Sequence, residues 1–189
     1  MKKILVFIVA IFIAVGSFAQ THWKVDPQHS SLNFNIEHSG ISFVNGKFIE
    51  YTGEVITYDD VIENMEIEFT VQTKSINTNV DMRDNHLRSA DFFEVKTYPE
   101  MTFKSTKMLA TGKPDYYLLH GELTIKDVTK DVIFDVYYGG LVEGEEGDKI
   151  GIEAETTINR FDYNIDYDPM ALGIAKDVHI VVHGQFVKQ

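Results

Sequence analysis

From residue 22 onward the dominant regularity along the chain is a period of two. Leu32, Phe34 and Ile36 alternate with Asn33, Asn35 and Glu37, and Met65, Ile67, Phe69 and Val71 alternate with Glu66, Glu68, Thr70 and Gln72. The rhythm returns in Leu119-x-Gly121-x-Leu123-x-Ile125, Val132-x-Phe134-x-Val136, Ile150-x-Ile152-x-Ala154-x-Thr156-x-Ile158 and Val178-x-Ile180-x-Val182. Successive side chains of a strand point to opposite faces, so each run predicts a half-buried antiparallel strand. The pattern predicts about eight strands, at 30–38, 46–58, 63–73, 100–110, 116–126, 130–142, 149–159 and 177–187. Asn45-Gly46 and Gly112-Lys113-Pro114-Asp115 read as turns. Gly139-Gly140 and the acidic run 143–148 read as a solvated hairpin end.

The stretch RDNHLRSADFFEVKTYP, residues 83–99, breaks the rhythm. Arg83, Leu87 and Ala90 fall at i, i+4 and i+7. Asp81 is placed as a helix cap, with Asp84 in the first turn, where the helix dipole favours negative charge. Pro99 restores extended backbone. The spacing predicts one or two helical turns over 82–94, closing one end of the sheet, with Leu87, Phe92 and Phe93 as inward anchors. Many strands and few helices leave a two-sheet sandwich or a closed barrel. Long strands with short connections favour an all-β, eight-stranded antiparallel barrel, whose interior either fills with side chains or holds one small ligand. Periodicity leaves those two interiors open.

The first residues do not belong to that pattern. Lys2 and Lys3 precede an apolar run from Ile4 to Val15, and Ser17-Phe18-Ala19 is a small-x-small site. This predicts a secretory signal peptide over 1–19, cut after Ala19, and a single domain over 20–189. A retained membrane anchor is the competing reading, but the run is short for a span of roughly 20 residues. The chain has no cysteine. That excludes a disulfide framework, thiol catalysis and a lipidated cysteine at the cut. The net charge is −12, and loss of Lys2 and Lys3 lowers it by two, to −14. Nucleic acid and anionic headgroups need cationic partners, so such a surface repels both. Acidity also keeps a strand-rich exported protein soluble.

Candidate chemistry is thin. His179 and His183 have helical ligand spacing, but Val178, Ile180, Val181 and Val182 make the segment a strand, where i and i+4 lie roughly 13 Å apart. His22, His29 and His38 meet only if the fold brings them together. Asp162-x-Asn164-x-Asp166-x-Asp168 resembles half of a calcium loop, but Tyr167 and Gly173 stand where that pattern wants glycine and glutamate. Asp26, His29 and Ser30 hold the atoms of a nucleophilic triad without a G-x-S-x-G elbow. Gly40-x-Ser42-x-Val44 lacks the second glycine of that elbow. Glu66 and Glu68 share the outward face of a strand, as solubilising groups rather than a glycosidase pair. No phosphate loop or dinucleotide fingerprint occurs. No metal and no catalytic residue is expected.

A group of motifs carries a resemblance. Trp23-Lys-Val-Asp26-Pro-Gln-His29-Ser30 is followed by Phe34, His38-Ser-Gly40, Gly46-Lys-Phe48 and Gly53. Ser75-Ile-Asn-Thr78, Arg83-Asp84-Asn-His86-Leu87-Arg-Ser89-Ala-Asp91-Phe92-Phe93 and Tyr98-Pro99-Glu-Met-Thr-Phe103-Lys-Ser105-Thr106 form the most specific block. Gly121-Glu-Leu123-Thr124-Ile125 and Val128-Thr129-Lys130 complete it. These residues resemble the YceI-like family of exported, lipocalin-like, polyisoprenoid-binding proteins across essentially the whole mature chain. Asp127 stands where members often have glycine, and Tyr163-Asn164 where they have Phe-Gly. Asp and Asn tolerate left-handed backbone best among non-glycine residues, so both turns are expected to survive.

The resemblance implies a lipocalin-like barrel with an elongated apolar cavity, a helical element near one end, and a periplasmic or secreted location. It implies carriage or sequestration of a long-chain amphiphile, isoprenoid, quinone-like or fatty-acid-like, and no catalysis. A twenty-carbon tail then contributes on the order of 6 kcal/mol at a ligand efficiency near 0.3 kcal/mol per heavy atom. The expected lining is Phe34, Ile36, Phe48, Phe69, Val71, Leu87, Phe92, Phe93, Phe103, Leu123, Phe134, Val136, Ile158, Ile180 and Val182. Headgroup candidates are His38, Arg83, His86 and Arg88, with the alternative that Arg83, His86 and Arg88 only pair with Asp84, Asp91 and neighbouring strands to hold the helix in place. The expected partner is a long-chain lipid or isoprenoid, with no other cofactor, no nucleic acid and no stable membrane insertion after leader cleavage. A homodimer is left open. The competing functions are an enzyme at the barrel mouth, using His38, His86 and Arg83, and a solid-cored stress-response interaction module.

Overall fold

The structure, a computed structural model, describes residues 20–59, 61–145 and 147–189. The expected leader, 1–19, lies outside the described residues. The strands are β1 (Thr21–Val25), β2 (Ser31–His38), β3 (Ser42–Phe48), β4 (Tyr51–Thr57), β5 (Glu66–Gln72) and β6 (Ile76–Asn77). The helix α1 (Asp81–Leu87) follows. Then come β7 (Glu100–Ala110), β8 (Tyr116–Ile125), β9 (Val128–Val142), β10 (Lys149–Asn159) and β11 (Ile174–Lys188).

Antiparallel ladders run β1-β4-β5-β7-β8-β9-β10-β11, and β11 returns to β1 through Trp23 opposite Lys188 and Val25 opposite Phe186. The ring closes as an eight-stranded antiparallel barrel with one short α-helix. The remaining strands extend three of its staves. The edge of β11 that pairs β1 through Phe186–Lys188 pairs β2 through Ile174–His183. In the same way β3 continues β4, and β6 continues β5.

These breaks correct the sequence reading. The expected strand 46–58 begins at Ser42 and is interrupted at Ile49-Glu50, where the Ile49 N–H donates to the Ser75 carbonyl at 3.3 Å. β1 lies ahead of the first expected strand, 30–38, and ends at Asp26-Pro27, where proline has no N–H for a ladder. There the Asp26 N–H donates to the Gln185 carbonyl at 2.8 Å, and the Gln185 N–H donates to Ser30 Oγ at 2.9 Å. Asn45-Gly46 is not a turn. It lies inside β3, and the hairpin reverses at Ser39-Gly40, both left-handed. Gly139-Gly140 likewise lies inside β9, where Gly140 (φ 99°) lies opposite Gly151 and the register then shifts, so that Ile152 faces Tyr138. At the β8–β9 turn the left-handed residue is Lys126 rather than Asp127, whereas Asn164 is left-handed (φ 56°).

The helix forms with a different cap from the one expected. Val80 is the N-cap and Asp81 is the first helical residue. The buried Asp84 carboxylate instead accepts from the Thr78 N–H at 2.9 Å and from the Thr78 hydroxyl. Turns follow the helix, with the Phe93 N–H donating to the Leu87 carbonyl at 3.1 Å, until β7 starts after Pro99.

The interior divides in two. Around β1, Trp23, Met108, Val136 and Ile150 belong to a filled core within a first cluster. Nearer α1, Phe48, Val71, Ile76, Phe92, Leu123 and Tyr163 form a second cluster. On that side β6 pairs only with β3 among the described residues, and no ladder joins it to β7. The wall parts there, and residues 78–99 fill the parting.

Candidate ligand-binding cavity

A cavity of about 670 Å³ opens beside α1 and reaches into the first cluster, where Ile67, Leu119, Phe134, Ala154 and Phe186 border it. Sites for small molecules run from roughly 300 to 1,000 Å³. Its wall is carbon-rich, with Phe, Ile, Val and Leu side chains from nearly every stave. The opening lies among Glu37, His38, Val80, Met82 and Tyr167, all exposed.

A barrel so rich in phenylalanine stays hollow because its rings lie against its walls. Phe34 faces Gly46 across the β2–β3 ladder, and Phe69 faces Gly53 across β4–β5. A Cβ at Gly46 would lie 2.2 Å from Phe34 Cζ, and one at Gly53 would lie 2.6 Å from Phe69 Cε1. Phe103 covers Gly121 in the same way, at 2.4 Å. Each glycine leaves a recess for a ring that would otherwise cross the axis. Edge-on contacts then lock the rings, as between Phe48 and Phe93 at 5.8 Å and Phe103 and Phe134 at 5.2 Å.

Every lining candidate named from the sequence borders this cavity except Val136. Val136 lies opposite Ala154, which does border the cavity, but is itself packed in the first cluster, 2% exposed. Of the headgroup candidates, His38, Arg83 and His86 border the cavity and Arg88 does not. Arg88 donates to the carbonyls of Lys74 (2.8 Å) and Ile76 (2.6 Å), fastening α1 to the preceding segment. Arg83 donates through Nε to Thr78 Oγ1 (2.7 Å) and through Nη2 to the Thr78 carbonyl (2.9 Å). His86 Nε2 lies 2.7 Å from Asp91 Oδ2, its ring edge-on to Phe92 and Tyr167. His38 Nδ1 lies 3.2 Å from Ser39 Oγ. No hydrogen bond links His38, Arg83 and His86 to one another among the described residues.

Sequence reasoning missed the polar residues Asn33, Glu37, Thr102, Arg160, Tyr163 and Tyr167 of the lining. Arg160 is buried, and its guanidinium donates to the carbonyls of Ala175, Ile165, Asp168 and Ile174, gathering the loop that follows it. Desolvation lowers its pKa, partly offset by Asp168 and Asp166. Tyr163 is 2% exposed, and its buried hydroxyl has no hydrogen-bond partner among the described residues. Burial pushes its pKa up to about 12, so the phenol stays neutral. The signal for both lay in the run Arg160-Phe161-Asp162-Tyr163, which reads as a turn until β11 is folded over it.

The other candidate chemistry disperses. Ser30 Oγ contacts the backbone of Gln185, while His29 Nδ1 lies 2.6 Å from Asp26 Oδ2. The same His29 contact, with the Gln28 N–H, holds the Asp26 carboxyl below the usual range. His179 and His183 lie near different carboxylates, Glu155 and Glu153. Asp168 spends its carboxylate on the loop itself, accepting from the N–H groups of Gly173 (2.7 Å) and Ile174 (2.9 Å). Among the described residues no three His, Asp or Glu side chains cluster as metal ligands, and no helix is long and apolar enough to cross a membrane.

A closed antiparallel barrel, filled at one end and hollow at the other, defines a lipocalin-like container. The sequence matches the YceI-like domain over residues 23–186, and the chain belongs to the YceI-like family. It is 34% identical to Protein YceI of Salmonella arizonae over 196 aligned positions, covering 100% of this chain and 98% of that one. A Campylobacter jejuni YceI crystal structure superposes with a TM-score of 0.72 at 31% identity, over 82% of this chain and 90% of the other. Burkholderia cenocepacia BcnA shares the fold with a TM-score of 0.77 at 21% identity, over 85% and 98%. A polyisoprenoid-binding domain from Saccharophagus degradans does so at 0.69 and 17%, over 88% and 98%.

Proposed function

We propose that this protein is an exported carrier that shelters the tail of one long-chain amphiphile, isoprenoid, quinone-like or fatty-acid-like, in its barrel. The observation that carries the reading is the 670 Å³ cavity with an almost wholly apolar wall. Such a wall has little to offer a polar ligand, whereas each buried methylene contributes about 0.8 kcal/mol by transfer. The tail therefore supplies the affinity, and the groups at the mouth select the head. Kinship with the YceI-like family and the shared fold of a polyisoprenoid-binding domain support the same reading. The leader pattern at 1–19 supports export to the periplasm. Arg83 and Arg88 act as struts of α1, which leaves His38 and His86 as the polar groups that meet a head.

The test is extraction. Protein secreted by a bacterial host through its own leader is extracted with organic solvent, and the extract is read by mass spectrometry. A long-chain lipid at about one per barrel is expected. Repeated preparations without lipid, together with no saturable binding of an apolar dye, end the proposal.

A further inference from the structure

Ile41, Met82, Leu172 and Met170 are the most exposed large apolar side chains among the described residues, at 89, 82, 78 and 75%. They come from three separate segments: the β2–β3 hairpin tip, the start of α1, and the loop before β11. The fold gathers all three at one place. The Ser39 N–H donates to the Gly173 carbonyl at 2.9 Å, joining hairpin and loop. Tyr167 of the loop packs on His86 and Phe92, at 4.9 and 5.0 Å, joining loop and helix segment. Val80, Met82 and Tyr167 border the cavity opening itself. The rim is thus continuous with the apolar wall inside.

We infer that this rim docks on the surface of a zwitterionic lipid bilayer, inserting Ile41, Met82, Met170 and Leu172 so that cargo passes between bilayer and barrel without crossing water. The inference rests on the carrier reading. A tail that leaves through water loses a factor of roughly four in equilibrium for each exposed methylene. Direct contact between the opening and a lipid phase removes that barrier. Scattered exposed apolar residues need no explanation, but a ring of them around an opening marks an interaction site.

Charge selects the occupant. The exposed charged groups on the rim segments are the carboxylates Asp81 and Asp166; beside them lie Glu37 on β2 and, at the start of β11, Lys176 and Asp177, whose charges offset each other. The Arg83 guanidinium is turned onto Thr78, and the Asp168 carboxylate is engaged by its own loop. Two copies joined through this face would oppose carboxylates to carboxylates. An anionic bilayer would meet the same repulsion, which the chain's net charge of −12 reinforces. The outer ammonium groups of phosphatidylethanolamine and phosphatidylcholine complement the carboxylates, while the apolar tips enter the headgroup boundary.

The experiment floats the mature protein with vesicles of phosphatidylcholine and phosphatidylethanolamine on a density gradient, beside an Ile41→Asp/Leu172→Asp variant. Neither residue borders the cavity, so both proteins should bind an apolar dye equally. The mature protein should float, the variant's vesicle partition should fall roughly ten-fold or more, and added phosphatidylglycerol should weaken binding. Failure of the mature protein to float, or a variant that floats equally well, overturns docking. So does a mature protein that sediments as a dimer which the variant dissociates, because the occupant is then a second copy. Absence of dye binding by the mature protein rejects the carrier reading itself, whereas dye binding without flotation rejects docking alone.

Discussion

Phe34 and Gly46 show how one pair of residues sets the bore of the cavity. The ring lies where a side chain on the opposite strand would be, 2.2 Å from an added Cβ, with Thr78 Cγ2 another 2.9 Å away. Gly46→Ala must push the ring inward, because Thr78 blocks relaxation of the backbone side. We expect weaker binding of an apolar dye and a stability loss of about 1–3 kcal/mol, the usual cost of overpacking. Dye titration and urea unfolding read the two, and a variant with unchanged dye affinity would refute the recess. Tyr163 makes the opposite case. Its orphaned hydroxyl carries a desolvation cost of about 1–3 kcal/mol without a compensating bond. Tyr163→Phe should therefore keep or raise the urea midpoint, and a clear fall would mean that the hydroxyl has a partner. Neither role was legible in advance, although Gly46 falls within the motifs that carry the resemblance and Tyr163 within a departure from them. Asn-Gly is a hairpin signal in sequence, and only the ring across the ladder reveals Gly46 as a space-maker.

Among the elements, the loop between the Arg160–Tyr163 turn and β11 depends most on charge. Arg160 holds it from beneath through backbone carbonyls, and Asp168 holds it from within through backbone N–H groups. The N–H groups of Ile174 and Gly173 lower the Asp168 pKa below its ordinary value. A carboxyl whose folded pKa is depressed stabilises the fold above its unfolded pKa, near 4, and loses that contribution as pH falls through the lowered value. Acidification below about pH 4 should therefore strip hydrogen-exchange protection from the Gly173 and Ile174 amides before those of β8. Asp168→Asn should show reduced protection already at neutral pH. Equal protection in both proteins at every pH would assign the loop's order to Arg160 alone. The strands were readable as elements because one face of each is buried. The breaks at Asp26-Pro27 and Ile49-Glu50 went unread, although the apolar phase flips at each, from Trp23 and Val25 to Leu32 and Phe34 and from Phe48 to Tyr51 and Val55.

For the molecule as a whole, period two was enough to reach an all-β barrel, and the motif block from Ser75 to Thr106 pointed to the family. Alternation could not distinguish a packed interior from an empty one, because it reports only which face is turned from water. The barrel is both, and Val136 marks the error: it sits on the same strand face as Phe134, yet belongs wholly to the filled part. The lining from β2, β5 and α1 was readable because large apolar residues recur on one face. Arg160 and Tyr163 were not, because they enter the wall from a turn that the strand pattern does not describe.

For the carrier proposed above, the plug built from Trp23, Met108 and Ile150 has a consequence. A blind tube has one door, so a guest goes in tail first and must come out head first, retracing its route. Donor and acceptor cannot be served at opposite ends at once; deliveries take turns. Anything that stops the doorway at Met82 and Tyr167 halts loading and unloading together, and a guest longer than the tube leaves its surplus outside, where the next recipient can grip it.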